Sequence, residues 1–278
     1  MTGPEANRFI LDTHFDHFSW HDGWPKNFKE LLGKSLFLQE GEEHQRNRRL
    51  LMPAFHGQAL RSYFAIMVDT INRYLVKWSQ MKYLTLLPEM KQMTFELASI
   101  LLLGSKPGTK TTLLSQKFSQ LTAGLFSLPI RLPFTTYTLA LKARDFLLNY
   151  IEEEIREREK NPAQDALSLL IKTKDKEGDS LSLEEIKVQA LLMLFAGHET
   201  TTSMLTSLCM ALAQNPDILA QTKAEQEKLK QQGKLSNEQL KQIPYLEQVL
   251  KEVERLYPPM GGGFRGVVKP FTYNGYYV

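Results

Sequence analysis

The sequence predicts a mainly α-helical protein, on three observations. Apolar residues recur at steps of three and four along most of the chain. Capping boxes and Asn-Pro pairs punctuate it at intervals suited to helices. Strand character, rich in β-branched and aromatic residues, appears only beyond Pro259.

Taken in order, the chain opens with a loop-rich segment carrying Phe15, Phe18, Trp20 and Trp24. A helix is expected from Gly41 to Phe55, basic and polar on one side, with Pro53 marking its end. Leu60, Phe64, Met67, Val68, Ile71, Tyr74 and Leu75 trace the apolar face of the next helix. Another runs from about Pro88 to Leu103 and is closed by Gly104; Thr111 to Phe126 repeats the pattern. Pro129 and Pro133 bracket a short apolar connector before a helix from Tyr137 to Lys160. The charges of its last turns, Glu152 to Lys160, alternate at three- and four-residue spacing and read as a solvated end, broken by Asn161-Pro162. A shorter helix spans Asp165 to Thr173. Ser182-Leu183-Glu184-Glu185 is a capping box that starts a long apolar helix, which Asn215-Pro216 ends while beginning another. A second box, Ser236-Asn237-Glu238-Gln239, and Ile243-Pro244 precede a final helix that stops at Pro258-Pro259. Phe264–Val268 and Thr272–Val278 are the strand signals, with Asn274-Gly275 as a turn. No composition shift divides the chain, so one mainly helical domain, 1–278, is expected, and the last strand signal has no partner strand following it.

Composition narrows the function. Of 278 residues 42% are hydrophobic and 23% charged, an ordinary globular balance. Lys+Arg less Asp+Glu is 34 − 31 = +3, with no basic aromatic-interleaved cluster, so no nucleic-acid partner is expected. The single cysteine, Cys209, excludes an internal disulfide and a multi-cysteine zinc site. The polar opening carries no secretory signal, which leans the expected location toward the cytoplasm. The apolar run from about Ala190 to Ala213 approaches membrane-span length but holds Glu199 and several hydroxyls at its middle, so a buried helix of a soluble protein is the better reading.

Three constellations could carry chemistry. Ala196-Gly197-His198-Glu199-Thr200-Thr201 interrupts the apolar helix with two small residues, a carboxylate and hydroxyls. A flat ligand could lie against the backbone at Ala196 and Gly197, while Glu199 and Thr200 pass protons; a helix-packing notch with a satisfied polar cluster is the plainer alternative. Glu252 and Arg255 share a face of the last helix, a spacing common by chance. His44 and Arg48, four apart, and Arg265, after Gly261-Gly262-Gly263, could clamp an anion, although a solvated basic face is the commoner meaning of such a cluster.

Together and in this order, these motifs resemble the cytochrome P450 family of haem-thiolate monooxygenases. Ala196 to Thr201 is similar to its oxygen-activating helix motif, Glu252–Arg255 to its Glu-x-x-Arg pair, and His44-x-x-x-Arg48 to its haem-propionate donors. Gly41…His44…Arg48…Pro53-Ala54-Phe55 and Gly262-Gly263-Phe264-Arg265 look most like the branch of retinoic acid hydroxylases shared by cyanobacteria and animals. The resemblance implies a helical prism with a minor β-sheet, incomplete here, and haem (iron protoporphyrin IX) as cofactor. It implies Ala196, Gly197, His44, Arg48 and Arg265 as cofactor-binding residues, Glu199 and Thr200 as catalytic residues, and Glu252 with Arg255 as a buried structural pair. It further implies O2, an apolar small-molecule substrate such as a retinoid-like acid, and an electron-donor protein (a ferredoxin or flavoprotein reductase). The family's iron-binding cysteine belongs to a Phe-x-x-Gly-x-x-x-Cys loop downstream of Glu-x-x-Arg, which is expected beyond Val278. Cys209, inside the long helix, is read as a small buried hydrophobe. The chain is thus expected to be a central portion of the domain, lacking part of its N-terminal region. The alternative is a catalytically inactive helical remnant or binding module.

Overall fold

The computed structural model describes residues 1–230 and 235–278. Helices α1 (Pro4–Arg8), α2 (Trp20–Gly23), α3 (Lys26–Leu32), α4 (Gly41–Leu51), α5 (Gln58–Ser79) and α6 (Leu86–Leu103) fill the first third of the chain. There follow α7 (Thr109–Leu125), α8 (Thr136–Lys160), α9 (Ala166–Lys172), α10 (Leu183–Gln214), α11 (Pro216–Lys230) and α12 (Pro244–Leu256). The strands β1 (Phe18–Ser19), β2 (Gly266–Val267), β3 (Thr272–Tyr273) and β4 (Tyr276–Tyr277) are two residues each.

α10 is the axis. The expected capping box starts it: the Ser182 hydroxyl accepts from the Glu185 N–H at 3.3 Å, and the Glu185 carboxylate accepts from the Ser182 N–H at 2.7 Å. Its first half is buried nearly all round, packed between α6 and α8, with α7 against α8. Phe95, Phe118, Leu121, Leu147, Ile151, Leu191 and Leu194 form the centre of the main core. Burying each such side chain contributes about 1.5–3 kcal/mol, so helix packing rather than the four short strands holds the fold. Among the described residues no helix is long and apolar enough to cross a membrane.

Several expectations change. The opening is not mainly loop: α3 packs Phe28, Leu31 and Leu32 with Trp24, Leu125 and Tyr137 in a second core cluster. Elements of four to seven residues are too short to show a helical period. α5 forms as expected, but it buries Tyr63, Thr70 and Tyr74, while Leu60, Ile71 and Leu75 of the predicted apolar face are exposed. The charged end of α8 is only partly solvated. The Arg158 side chain is 11% exposed, its Nε 2.6 Å from the buried Asp165 carboxylate, and it donates to the carbonyls of Leu103 and Gly104. The predicted box at Ser236–Gln239 makes its reciprocal bonds but heads only a single 3₁₀ turn, Gln239–Gln242. The final strand signal folds back on itself: β3 and β4 form a hairpin about Asn274-Gly275, where both φ angles are positive, at 48° and 80°.

The strand signal at Phe264–Val268 shortens to β2, which pairs antiparallel with β1, Phe18 opposite Val267. This brings the two ends of the chain together beside α2. The approach is close enough to demand glycines: a Cβ on Gly23 would lie 2.5 Å from the Arg265 backbone, and one on Gly266 2.7 Å from the Asp22 side chain.

Candidate active site

Midway along α10 the burial pattern changes. Leu191 to Leu194 are buried, then Ala196 and Gly197 are exposed, His198 is buried, and Thr200 is exposed again. A Cβ built on Gly197 meets nothing within 4 Å. The side of α10 carrying Ala196, Gly197 and Thr200 therefore faces open space instead of a packed neighbour.

A cleft of about 990 Å³ opens there, with Leu192, Ala196, Phe37 and Trp20 among its walls and His44 and Arg265 beside them. α4 presents His44, half-buried, while Arg48, one turn further along the same face, is exposed. Arg265 is placed by the β1–β2 pairing. Its guanidinium carbon stands 4.2 Å above the Trp20 ring and its Nη1 donates to the Phe264 carbonyl at 2.9 Å. Such stacking contributes about 0.5–2 kcal/mol. Burial lowers the Arg265 pKa from its ordinary value, opposed by the Glu40 carboxylate, and the group stays a cation at neutral pH. A second chamber of about 560 Å³ shares Phe37, Leu192 and Ala196 with the first and adds Phe126, Phe195, Met260, Glu199 and Thr200. Its polar lining comes from Glu199, Thr200 and Ser203 of α10, Lys91 of α6, and Ser119 and Thr122 of α7.

The polar residues of the motif divide by their surroundings. Thr200 Oγ1 donates to the Ala196 carbonyl one turn back at 2.6 Å, as a helical threonine does when no side-chain partner competes. Glu199 is part-exposed, with Lys91 of α6 at 3.1 Å. His198 turns the other way, 1% exposed, edge-on to Phe95 and Phe118. Its Nδ1 shares a hydrogen bond with the Thr94 hydroxyl at 2.9 Å, and Thr94 shares another with Thr202 at 2.6 Å. Burial pushes the His198 pKa down to about 4, with Glu199 opposing and Lys91 reinforcing the shift, so the ring is neutral at pH 7 and holds no proton to give.

Ala196, His44 and Arg265 thus line one cleft, with Gly197 exposed beside Ala196 and Arg48 exposed one turn beyond His44, and Glu199 and Thr200 line the adjoining chamber. Glu252 and Arg255 do not join them. They form a two-bond pair, 2.8 and 2.6 Å, but their side chains are 56% and 66% exposed, against the expected burial. The reason is their helix face: α12 buries Val253 toward the protein, and no residue described here covers the side that carries the pair. Cys209 lies three turns past Gly197 against Tyr74, Met90 and Met93, away from both cavities, and burial raises its thiol pKa. Lys91, Thr94 and Trp20 escaped the sequence reading as site residues. Thr94 and His198 are 104 residues apart, and no local pattern announces such a contact.

Comparison with known proteins bears on the family and the fold. The family model for cytochrome P450 matches residues 1–278. A putative cytochrome P450 120 from Synechocystis sp. is 39% identical over the whole chain, and cytochrome P450 26A1 of Danio rerio is 36% identical over 92% of it. The solved structure of a retinoic acid-bound cyanobacterial P450, CYP120A1, superposes with a TM-score of 0.90 over all of the chain, at 39% identity. The chain spans 62% and 56% of the lengths of those two relatives and 64% of that structure. With fold, motif order and cleft all in agreement, the chain belongs to the cytochrome P450 family.

Proposed function

We propose that residues 1–278 form the larger part of a haem monooxygenase domain that hydroxylates an apolar small molecule. The observation that carries this reading is the bare stretch of α10 at Ala196–Gly197: Ala196 lines a cleft with Trp20, Phe37 and Leu192, with His44 and Arg265 beside them, and Gly197 next to it faces open space. A porphyrin suits those features: its flat face needs a wall without side-chain bulk, and its two carboxylates need cations at the edge. Haem is the cofactor of the family, and when bound it supplies reductive activation of O2, so that RH + O2 + 2e⁻ + 2H⁺ gives ROH + H2O.

The chain's own residues would hold and protonate. His44, Arg48 and Arg265 would take the two carboxylates. Thr200 Oγ1 and the Glu199 carboxylate face the chamber adjoining the cleft, where together they would pass protons. For Thr200 to donate into the chamber, its hydroxyl must turn from the Ala196 carbonyl. Phe126, Phe195 and Met260 would exclude water and receive an apolar substrate. A retinoid-like acid is the substrate class we favour, because the solved relative is described as bound to retinoic acid. Electrons would come from a ferredoxin or flavoprotein reductase.

Reconstitution of the 278-residue chain with haemin tests the cleft. Binding followed at the Soret band is expected to weaken about tenfold or more in a His44→Ala, Arg265→Ala double variant, through loss of two charge-assisted contacts. Unaltered affinity would remove both residues from the cofactor site.

A further inference from the structure

Glu199 is not left to solvent. Its Oε1 is buried and makes no hydrogen bond of good geometry; the charge that meets it is the Lys91 ammonium of α6, at 3.1 Å. Lys91 and Glu199 both line the second chamber, so their contact lies in the wall where a substrate would sit.

What brings them together is a pin on the buried side of the same two helices. Thr94, three residues after Lys91, bonds both His198 and Thr202 of α10, at 2.9 and 2.6 Å, between the rings of Phe95 and Phe118. Sliding α6 along α10 by one residue, about 1.5 Å, would break both bonds and draw Lys91 off Glu199. Among the described residues, the charged groups that act on His198 are Glu199 and Lys91, and the rings of Phe95 and Phe118 cover it.

We propose that Lys91 is a positioning residue for Glu199, holding its carboxylate at the chamber wall, and that Thr94, His198 and Thr202 keep α6 and α10 in the register this requires. This rests on the reading that Glu199 and Thr200 pass protons to the chamber. Both partners are about one-third exposed, so the hold is modest. Lysine's compact charge on a flexible stem can release the carboxylate when it turns toward Thr200.

Crystal structures of the chain bearing Lys91→Met and Lys91→Arg read the placement directly, without haem. The carboxylate is expected to leave α6 in Lys91→Met and to stay within ion-pair distance in Lys91→Arg; an unmoved carboxylate in Lys91→Met overturns the proposal. In a haem-loaded protein of its relatives' length, product formed per electron consumed is expected to fall about tenfold in Lys91→Met and to recover in Lys91→Arg, with haem content unchanged. A Lys91→Met protein of normal coupling whose Glu199→Gln counterpart is uncoupled also overturns it. Normal coupling in Glu199→Gln would instead remove Glu199 from the proton path and leave the placement result standing.

Discussion

His198 stays neutral because burial excludes water from its ring, and that has a consequence for stability. Its folded pKa of about 4 lies below the unfolded value of 6.5, so between those values the unfolded chain binds a proton that the folded chain refuses. Stability from this residue is complete above pH 6.5 and is lost as pH falls toward 4, by about 3 kcal/mol in all. Urea midpoints of the wild type and His198→Gln at pH 7 and pH 4.5 should therefore converge at the lower pH; parallel behaviour would mean the ring is not buried neutral. The neighbouring Thr200 makes a different prediction. Thr200→Ala removes a hydroxyl but packs against nothing new, so a haem-loaded protein of full family length should keep its haem. Its product yield per electron should drop about 100-fold, at the low end for a positioned proton donor, as measured by NADPH consumption against product. Glu199 and Thr200 stood out in the sequence because hydroxyls and a carboxylate interrupt an apolar helix. Their division from His198, which faces the opposite side, needed the packing of α6.

At the scale of elements, the junction of α6, α8 and α9 depends on one buried ion pair. Asp165 caps α9 through the Ser168 N–H at 2.8 Å and also neutralises Arg158, which closes the carbonyl end of α6. Asp165→Ala should cost about 3 kcal/mol in urea unfolding, since it removes a cap and leaves the mostly buried Arg158 guanidinium with Glu154 alone, at 3.5 Å; a loss under 1 kcal/mol would place Arg158 in solvent. The β1–β2 contact is the other sensitive junction. Gly23→Ala has no room beside the Arg265 backbone and should weaken haemin binding while leaving helix content by circular dichroism unchanged. The long helices were legible because period, caps and Pro breaks agreed. The short opening helices were not, being below one or two periods in length. The pairing of Phe18–Ser19 with Gly266–Val267 is non-local, and Arg158 looked solvated because its spacing to Glu154 is that of an exposed helix pair.

For the whole molecule, the family motifs were legible as an ordered set, and the meeting of Ala196, His44 and Arg265 at one cleft needed coordinates. Glu252 and Arg255 show the limit of motif reading: the spacing was recognised and the bond exists, but burial depends on what covers the face. Cys209 sits with Tyr74 and Met93, so haemin bound to the 278-residue chain should give no thiolate-type carbon monoxide difference spectrum; its appearance would mean that this sulfur reaches iron. The bare wall at Gly197 can be probed with little disturbance of the fold, because a Cβ there meets no packed neighbour within 4 Å. Soret titration of Gly197→Leu against the wild type is the most direct measurement. Wild-type helicity and thermal midpoint with haemin affinity reduced at least about 100-fold is the expected result, since the leucine would add bulk to the bare wall beside Ala196 of the cleft. Equal haemin affinity in the two proteins would show that the cofactor does not lie against α10.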